Sequence, residues 1–439
     1  MLKENLKNIN YGFIIIPLLL SAIGLIFIYS SGIYPDGSNS GQYLKQIIWM
    51  VIGLGLSVGI MTLDYYQLVE NAEIFYLIGI LVLAATLIIG KSIRGAKSWF
   101  GVAGLGIQPS EIMKLFYILL LAKFFSNASP TENRFRTFVI SLVMLGIPLG
   151  LILLQPDLGT SLVFLGIYII MSFIGMPDGR YVKYIVFTGL VTAILVLGNA
   201  YYKFYFLEMY QTRIEIFDIL FNFNTMLIIA IAMFLYTLVA VILEFFNPVE
   251  IIRKILPFTI IAGIGFGVAA VSNVILKPYQ WKRLLVFLNP EFDRWGAGYN
   301  IIQSKIAIGS GGFAGKGIFR GTQNLLGFLP EKSTDFIFSI ISEEAGFLGG
   351  AFVIALFCIY FFMIIRTIAN AHDKEGMLIS AGILGMFFIH FIINIGMTLG
   401  TAPVTGLPLP FVSYGGSSYL TFILAAALLS NIHSRRFVH

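Results

Sequence analysis

Met377–Leu399 reads MLISAGILGMFFIHFIINIGMTL, an apolar stretch without a single Asp, Glu, Lys or Arg. About 20 such residues in a helix cross the roughly 30 Å hydrocarbon layer of a bilayer, so this stretch reads as a membrane span. Its polar exceptions are His390 and Asn394, one helical turn apart. The pattern repeats outward in both directions, with apolar blocks at 12–31, 44–63, 73–90, 111–126, 137–154, 160–176, 181–200, 226–246, 257–276, 336–365 and 411–432. We read these as about twelve transmembrane helices, an all-α polytopic membrane protein in one integral membrane domain over 1–439. Composition agrees: 58% of residues are hydrophobic and 11% charged, which excludes a water-soluble protein. The single cysteine, Cys358, lies inside an apolar block, so an intrachain disulfide and a cysteine metal cluster are both excluded.

The N-terminus carries Lys3 and Lys7 before the first apolar run. No small-residue cleavage site follows, so it reads as an uncleaved first span. With that end in the cytoplasm, Arg134/Arg136, Arg180/Lys183, Arg253/Lys254, Arg366/Lys374 and Arg435/Arg436 all fall on the cytoplasmic side, as the positive-inside rule expects. Two outer loops break the rule. One holds Lys91, Arg94 and Lys97. The other, 277–335, holds Lys277, Lys282, Arg283, Arg294, Lys305, Lys316, Arg320 and Lys332 against Glu291, Asp293, Glu331 and Asp335. Such a cationic surface suits an anionic ligand; the blander reading is contact with anionic headgroups. Tyr279, Trp281, Phe287, Trp295 and Tyr299 interleave with the charges. An outer aromatic belt explains them better than nucleic-acid stacking does.

The run GSGGFAGKG, Gly309–Gly317, fails the phosphate-loop pattern at Ser310 and at Gly317. It either offers backbone amides to an anion or lets helices pack closely. The four histidines form no metal-ligand spacing. More informative are the ionisable residues at membrane depth, because each needs a partner there. Glu111 and Lys114, three apart, share a helix face and can neutralise each other. Asp157, in QPDLGT, either caps the following helix or lines a site. Glu343 and Glu344 point about 100° apart on a helix, so at most one faces any given cavity. His390 and Asn394 can bond across helices. Asp335 ends the basic loop just before an apolar helix, where local physics offers two roles, an N-terminal cap or a carboxylate tuned as a general base.

Taken together, RGAKSWF (Arg94–Phe100), QPSEIMK (Gln108–Lys114), QPDLGT (Gln155–Thr160), GAGYNIIQSKIAIGSGGFAGKG (Gly296–Gly317), FLPEKSTDFIF (Phe328–Phe338), EEAGFLGG (Glu343–Gly350) and PVTGLPLPFVSYGGSS (Pro403–Ser418) closely resemble the SEDS proteins of bacterial shape, elongation, division and sporulation. Asn394–Phe411 and Gly321–Glu331 resemble the elongation branch of that family. The resemblance implies a SEDS-type helical bundle of about ten family-like spans plus two in an insertion at 201–276, with a large extracytoplasmic catalytic loop at 277–335. It implies a bacterial inner-membrane glycosyltransferase that polymerises lipid II and releases polyprenyl diphosphate. It makes Asp335 the essential carboxylate and base, Trp99 a second essential position, and Glu111, Lys114 and Asp157 residues lining the cavity. Arg94, Lys97, Lys305, Ser310 and Lys316 become candidates for holding the pyrophosphate, with a divalent cation, Mg or Mn, as a conceivable helper. The partners it implies are lipid II, the polyprenyl-linked glycan, a class B penicillin-binding protein docking on 336–400, and the elongation machinery; no nucleic acid is implied. One departure is Gly327, where several relatives have Glu. A lipid II transporter and a scaffold for a transpeptidase are the competing readings.

Overall fold

The computed structural model describes residues 10–34, 38–93, 96–102, 105–128, 134–176, 179–246, 250–276 and 278–435. Lys3, Lys7, Lys277 and Arg436, used above for sidedness, lie outside them. The chain divides into two compact units, Met1–Pro177 with Gln303–His439, and Asp178–Ile302.

The first unit begins with α1 (Gly12–Ser31), α2 (Gln42–Thr62), the short α3 (Tyr65–Glu70) and α4 (Ala72–Ile89). Three strands follow, β1 (Lys91–Ile93), β2 (Ala96–Val102) and β3 (Leu105–Ile107), paired antiparallel in that order. Then come α5 (Pro109–Asn127), α6 (Arg134–Leu154) and α7 (Leu158–Gly175). Chain order alone hides the centre of this unit, since α7 and α5 pack on a helix more than 200 residues later, Lys374–Leu399. An added Cβ at Gly166 would lie 2.2 Å from Ile389 Cγ1, and one at Gly385 would lie 3.2 Å from the Gly166 carbonyl. Glycine is what lets these two helices meet backbone to backbone.

The second unit contains α8 (Arg180–Ala200), which continues through a π-helical turn at Tyr201–Phe206, then α9 (Phe223–Phe246), α10 (Glu250–Ile275) and α11 (Pro278–Leu288). Tyr202, Phe221, Met226, Ala269 and Ala270 form one small core, and Trp281 is buried with Ala200 and Leu285 in another. Trp281 is therefore a packing residue within its own unit. The unit runs from 178 to 302, beyond both ends of the 201–276 stretch singled out in the sequence.

Returning to the first unit, the remaining helices are α12 (Ile337–Glu344), α13 (Gly346–Ala369), α14 (Lys374–Leu399) and α15 (Gly416–Arg435). Among the described residues, ten helices are long and apolar enough to cross a membrane. The blocks at 111–126 and 411–432 give α5 and α15, which are 19 and 20 residues long but carry more polar residues. The chain is a multi-pass helical membrane protein, and its exterior shows it: Val51, Leu81, Ile88, Phe173 and Phe352 are exposed, whereas Ser21, Ser141, Ser172 and Asn431 are buried. Lipid accepts apolar side chains, and the interior gathers the polar ones.

Two local readings need correction. The block 336–365 is not one helix: it breaks at Ala345–Gly346, where Gly346 has φ +68°. A Cβ there would sit 2.3 Å from the Gly315 amide nitrogen, so the break is built around a backbone crossing. Within 91–107, read as an outer loop, residues 91–93, 96–102 and 105–107 form the small sheet.

Candidate functional site

Asp335 lies half-buried, one residue before the position from which α12 would be capped. Phe336 occupies the cap position, and its side chain makes no capping hydrogen bond. The cap position thus falls one residue after Asp335. The Asp335 amide donates to the Glu331 carbonyl at 3.0 Å, as does the Phe336 amide at 3.3 Å, in a turn where Glu331 has φ +54°. Asn394 donates through Nδ2 to the Asp335 carbonyl at 3.0 Å and to the Leu407 carbonyl at 2.7 Å. Gly406, at φ +76°, passes so close that a Cβ would lie 3.4 Å from Asp335 Oδ2. Ser413 Oγ donates to the Thr334 carbonyl at 2.6 Å, and the Tyr414 amide donates to the Ser333 carbonyl at 2.9 Å. The turn carrying Asp335 is thus strapped to the 405–414 segment along its length.

On the other side of that segment stands Asp157. It caps α7, accepting from the Thr160 amide at 3.0 Å and the Thr160 hydroxyl at 2.8 Å. It also accepts from Gln108 Nε2 at 2.8 Å. Two residues on, a Cβ at Gly159 would be 2.7 Å from the Thr405 carbonyl. Asp157 and Asp335 therefore flank one short piece of chain, Thr405–Leu407.

Glu111 and Lys114 are buried, with 3% and 0% exposure, and form an ion pair at 2.8 Å. Lys114 Nζ also lies 3.0 Å from His390 Nε2 and 5.9 Å from the centre of the Phe422 ring. His390 Nδ1 is 3.1 Å from the Pro408 carbonyl. His390 thus bonds across to Lys114 of α5, as expected, and both it and Asn394 also reach the 407–408 loop. Two atoms beside it, Asn394 Oδ1 and Thr405 Oγ1, are buried with no hydrogen-bond partner among the described residues.

The cations of the two basic loops fare differently. Lys316 is paired with the buried Glu343 at 2.8 Å. Glu343 accepts further bonds from Thr322 Oγ1 at 3.0 Å and the Gln323 amide at 2.9 Å. Glu344 accepts from the Phe319 amide at 3.0 Å, from Asn324 Nδ2 at 2.8 Å and from Ser30 Oγ at 2.5 Å. Contrary to expectation, both adjacent glutamates serve the same loop, because the helix break immediately after them admits the 311–325 chain to both sides. The Gly309–Gly317 run is used for close packing: a Cβ at Gly311 would come 1.9 Å from the Ser342 carbonyl, and one at Gly315, at φ +83°, would come 2.1 Å from that of Glu344. The amides of Lys316 and Gly317 are spent on the Glu343 and Glu344 carbonyls. Burial holds the Lys332 ammonium below the ordinary lysine range, with Glu344 and Glu343 opposing that shift.

Lys305 and Ser310 are exposed, the latter with its hydroxyl donating to the Ala307 carbonyl at 2.9 Å. Trp99 sits on β2 opposite Lys91, and its ring lies 3.0 Å from where a Gly106 Cβ would be. Arg94 lies outside the described residues, as does the side chain of Lys97. Among the described residues, no three His, Cys, Asp or Glu side chains group to hold a metal ion. Thus Asp335 and Asp157 flank the 405–408 segment, His390 and Asn394 bond to it, and the Glu111–Lys114 pair is linked to it through His390; the shared helix face of His390 and Asn394 was their one signal in the sequence. The lysine Lys316 serves the loop itself.

The family model for FtsW, RodA and SpoVE, described as cell cycle protein, matches residues 11–223 and 222–437. The chain is 39% identical over 437 residues to the peptidoglycan glycosyltransferase RodA of Treponema pallidum, covering 99% of each. It is 33% identical to the stage V sporulation protein E of Bacillus subtilis, covering 95% of each. Among solved structures it is similar to a chain of a peptidoglycan synthase complex that coordinates polymerization and crosslinking, with TM-score 0.68, 25% identity, and 98% and 99% of the two chains covered. The rod shape determining protein RodA of Thermus thermophilus matches with TM-score 0.60 at 21% identity over 98% of both chains, a likeness of fold. With the sequence motifs and the membrane fold pointing the same way, the chain belongs to the FtsW/RodA/SpoVE family of cell-cycle proteins.

Proposed function

We propose that this protein is a peptidoglycan glycosyltransferase that polymerises lipid II during cell elongation. The observation that carries this reading is the end-to-end similarity to a RodA named for that activity. The half-buried placement of Asp335 beside buried, unpartnered polar atoms supports it. In this mechanism Asp335 takes the proton from the 4-hydroxyl of the incoming sugar as that oxygen attacks the anomeric carbon of the growing chain. A glycosidic bond forms, the bond from the anomeric carbon to the pyrophosphate breaks, and polyprenyl diphosphate departs with the electron pair. Arg94, Lys97 and Lys305 are the cations assigned to the pyrophosphate. Lys316, engaged with Glu343, acts by shaping the loop. No step is assigned to a divalent cation.

The loop carrying Asp335 faces outward from the bacterial inner membrane with the N-terminus in the cytoplasm, an orientation supported by the charge of the short loops. A class B penicillin-binding protein docks on 336–400. The exposed Phe347, Phe352, Ile359 and Phe362 of α13 offer it an apolar face, and the similar chain in a synthase complex supports such a pairing. The test supplies lipid II and the transpeptidase to purified wild type and Asp335→Asn. Glycan from wild type and none from the variant is expected. Equal polymer from both removes Asp335 as base, and movement of labelled lipid II across vesicles without polymer establishes the transporter reading instead.

A further inference from the structure

The bonds around His390 fix more than its location. An ammonium can only donate, so His390 Nε2, 3.0 Å from Lys114 Nζ, is the acceptor. The ring proton of the neutral imidazole then sits on Nδ1, which donates to the Pro408 carbonyl at 3.1 Å. One turn along α14, Asn394 faces two carbonyls at once, Leu407 at 2.7 Å and Asp335 at 3.0 Å, and spends both amide hydrogens on them. Two side chains four residues apart therefore hold consecutive carbonyls of one loop, and the second also holds the peptide of the proposed base. His390 and Asn394 are 0% exposed and lie in the interior of α14, so the grip is rigid and water does not compete for it.

We infer that His390 is a positioning residue: oriented by the buried Glu111–Lys114 pair, it fixes the Pro408 carbonyl and so the 405–408 wall against which the Asp335 carboxylate is set. Lys114 chooses the tautomer, the tautomer makes Nδ1 a donor, and the donor places the loop. The inference deepens the reading of Asp335 as base and rests on it, but part of its test is independent of activity.

Three replacements separate positioning from bulk. The amide nitrogen of His390→Asn overlays Nδ1 and keeps the Pro408 bond without needing Lys114. The longer amide of His390→Gln reaches Lys114 and leaves Pro408 unbound, and His390→Phe keeps volume alone. With the full chain and its transpeptidase in lipid nanodiscs, His390→Phe and His390→Gln are expected to lower kcat about 30- to 100-fold with KM for lipid II little changed, the scale of a roughly 1 Å misplacement. His390→Asn should restore most of the lost kcat. In protein labelled with 15N-histidine, the His390 signal should show Nδ1 protonated and Nε2 unprotonated, and Lys114→Met should admit the opposite tautomer. An Nε2-protonated ring in the wild type overturns the inference whatever the enzyme assay gives. So does a parallel fall of kcat and Tm in all three variants, Asn included, which marks His390 as a packing residue. Wild type that makes no glycan while showing the expected tautomer refutes the reading of Asp335 and leaves the geometry standing.

Discussion

At the scale of single residues, the electrostatics of a dry interior decides most of what matters. Glu111 and Lys114 are both buried and joined at 2.8 Å, so removing one partner strands the other charge. Breaking such a pair costs about 3–5 kcal/mol, whereas removing both charges costs far less. Glu111→Gln and Lys114→Met should therefore each lower the thermal midpoint in detergent more than the double change does. Additive losses would show that the pair is uncoupled. For Asp157 the contacts give a smaller number. Asp157→Ala removes the cap of α7, worth about 1 kcal/mol, together with the acceptor for Gln108. Asp157→Asn keeps an oxygen for the Thr160 amide and should recover most of the lost melting temperature; failure to recover it would mean that the negative charge, not the cap, is what α7 needs. The Glu111–Lys114 pair and the Asp157 cap were legible because in each the partner lies three residues away in the chain. Asp335 was not, since the cap position falls one residue later than the sequence suggests, and no local pattern records that displacement.

Among elements, the informative feature is the junction between α12 and α13. Sequence reading sees an unbroken apolar block there because Phe, Ile, Leu and Gly supply the hydropathy of a span whether or not the helix is continuous. The break arises from contacts about 30 residues apart, where Gly311 and Gly315 lie against the Ser342 and Glu344 carbonyls. The β1–β3 sheet was missed for a related reason: its strands are three, seven and three residues long, too short to show alternation. The glutamates at the junction then hold the loop 316–324 from the inside. Gly315→Ala should be severely destabilising, as it combines strain at φ +83° with a 2.1 Å approach to a carbonyl. Gly309→Ala, whose Cβ would meet nothing within 4 Å, should leave the thermal midpoint within about 2 °C. Similar losses from both would show that the run is not a packing device. Glu343→Gln keeps the acceptor oxygen for the Gln323 amide but strands Lys316, and protease nicking of 316–324 measures the loosening.

Over the whole molecule, the spans were legible because lipid imposes one strong rule, the burial of every backbone polar group within a helix, and ten helices among the described residues meet it by length and hydropathy. What hydropathy leaves open is which helices become neighbours: α14 packs on α5 and α7 through small residues far apart in sequence. Sidedness is a claim of this same scale, and one crossing suffices to test it. Within the first unit, Leu326 before α12 and His372 after α13 are both exposed, and the apolar helix Gly346–Ala369 lies between them in the chain. The only other thiol is Cys358, so Cys358→Ala gives a background on which Leu326→Cys and His372→Cys are read one at a time. A membrane-impermeant maleimide should label Leu326→Cys in intact spheroplasts and His372→Cys only after permeabilisation. The reverse pattern would place Asp335 in the cytoplasm, on the face away from the glycan, and the polymerase reading would fall with it.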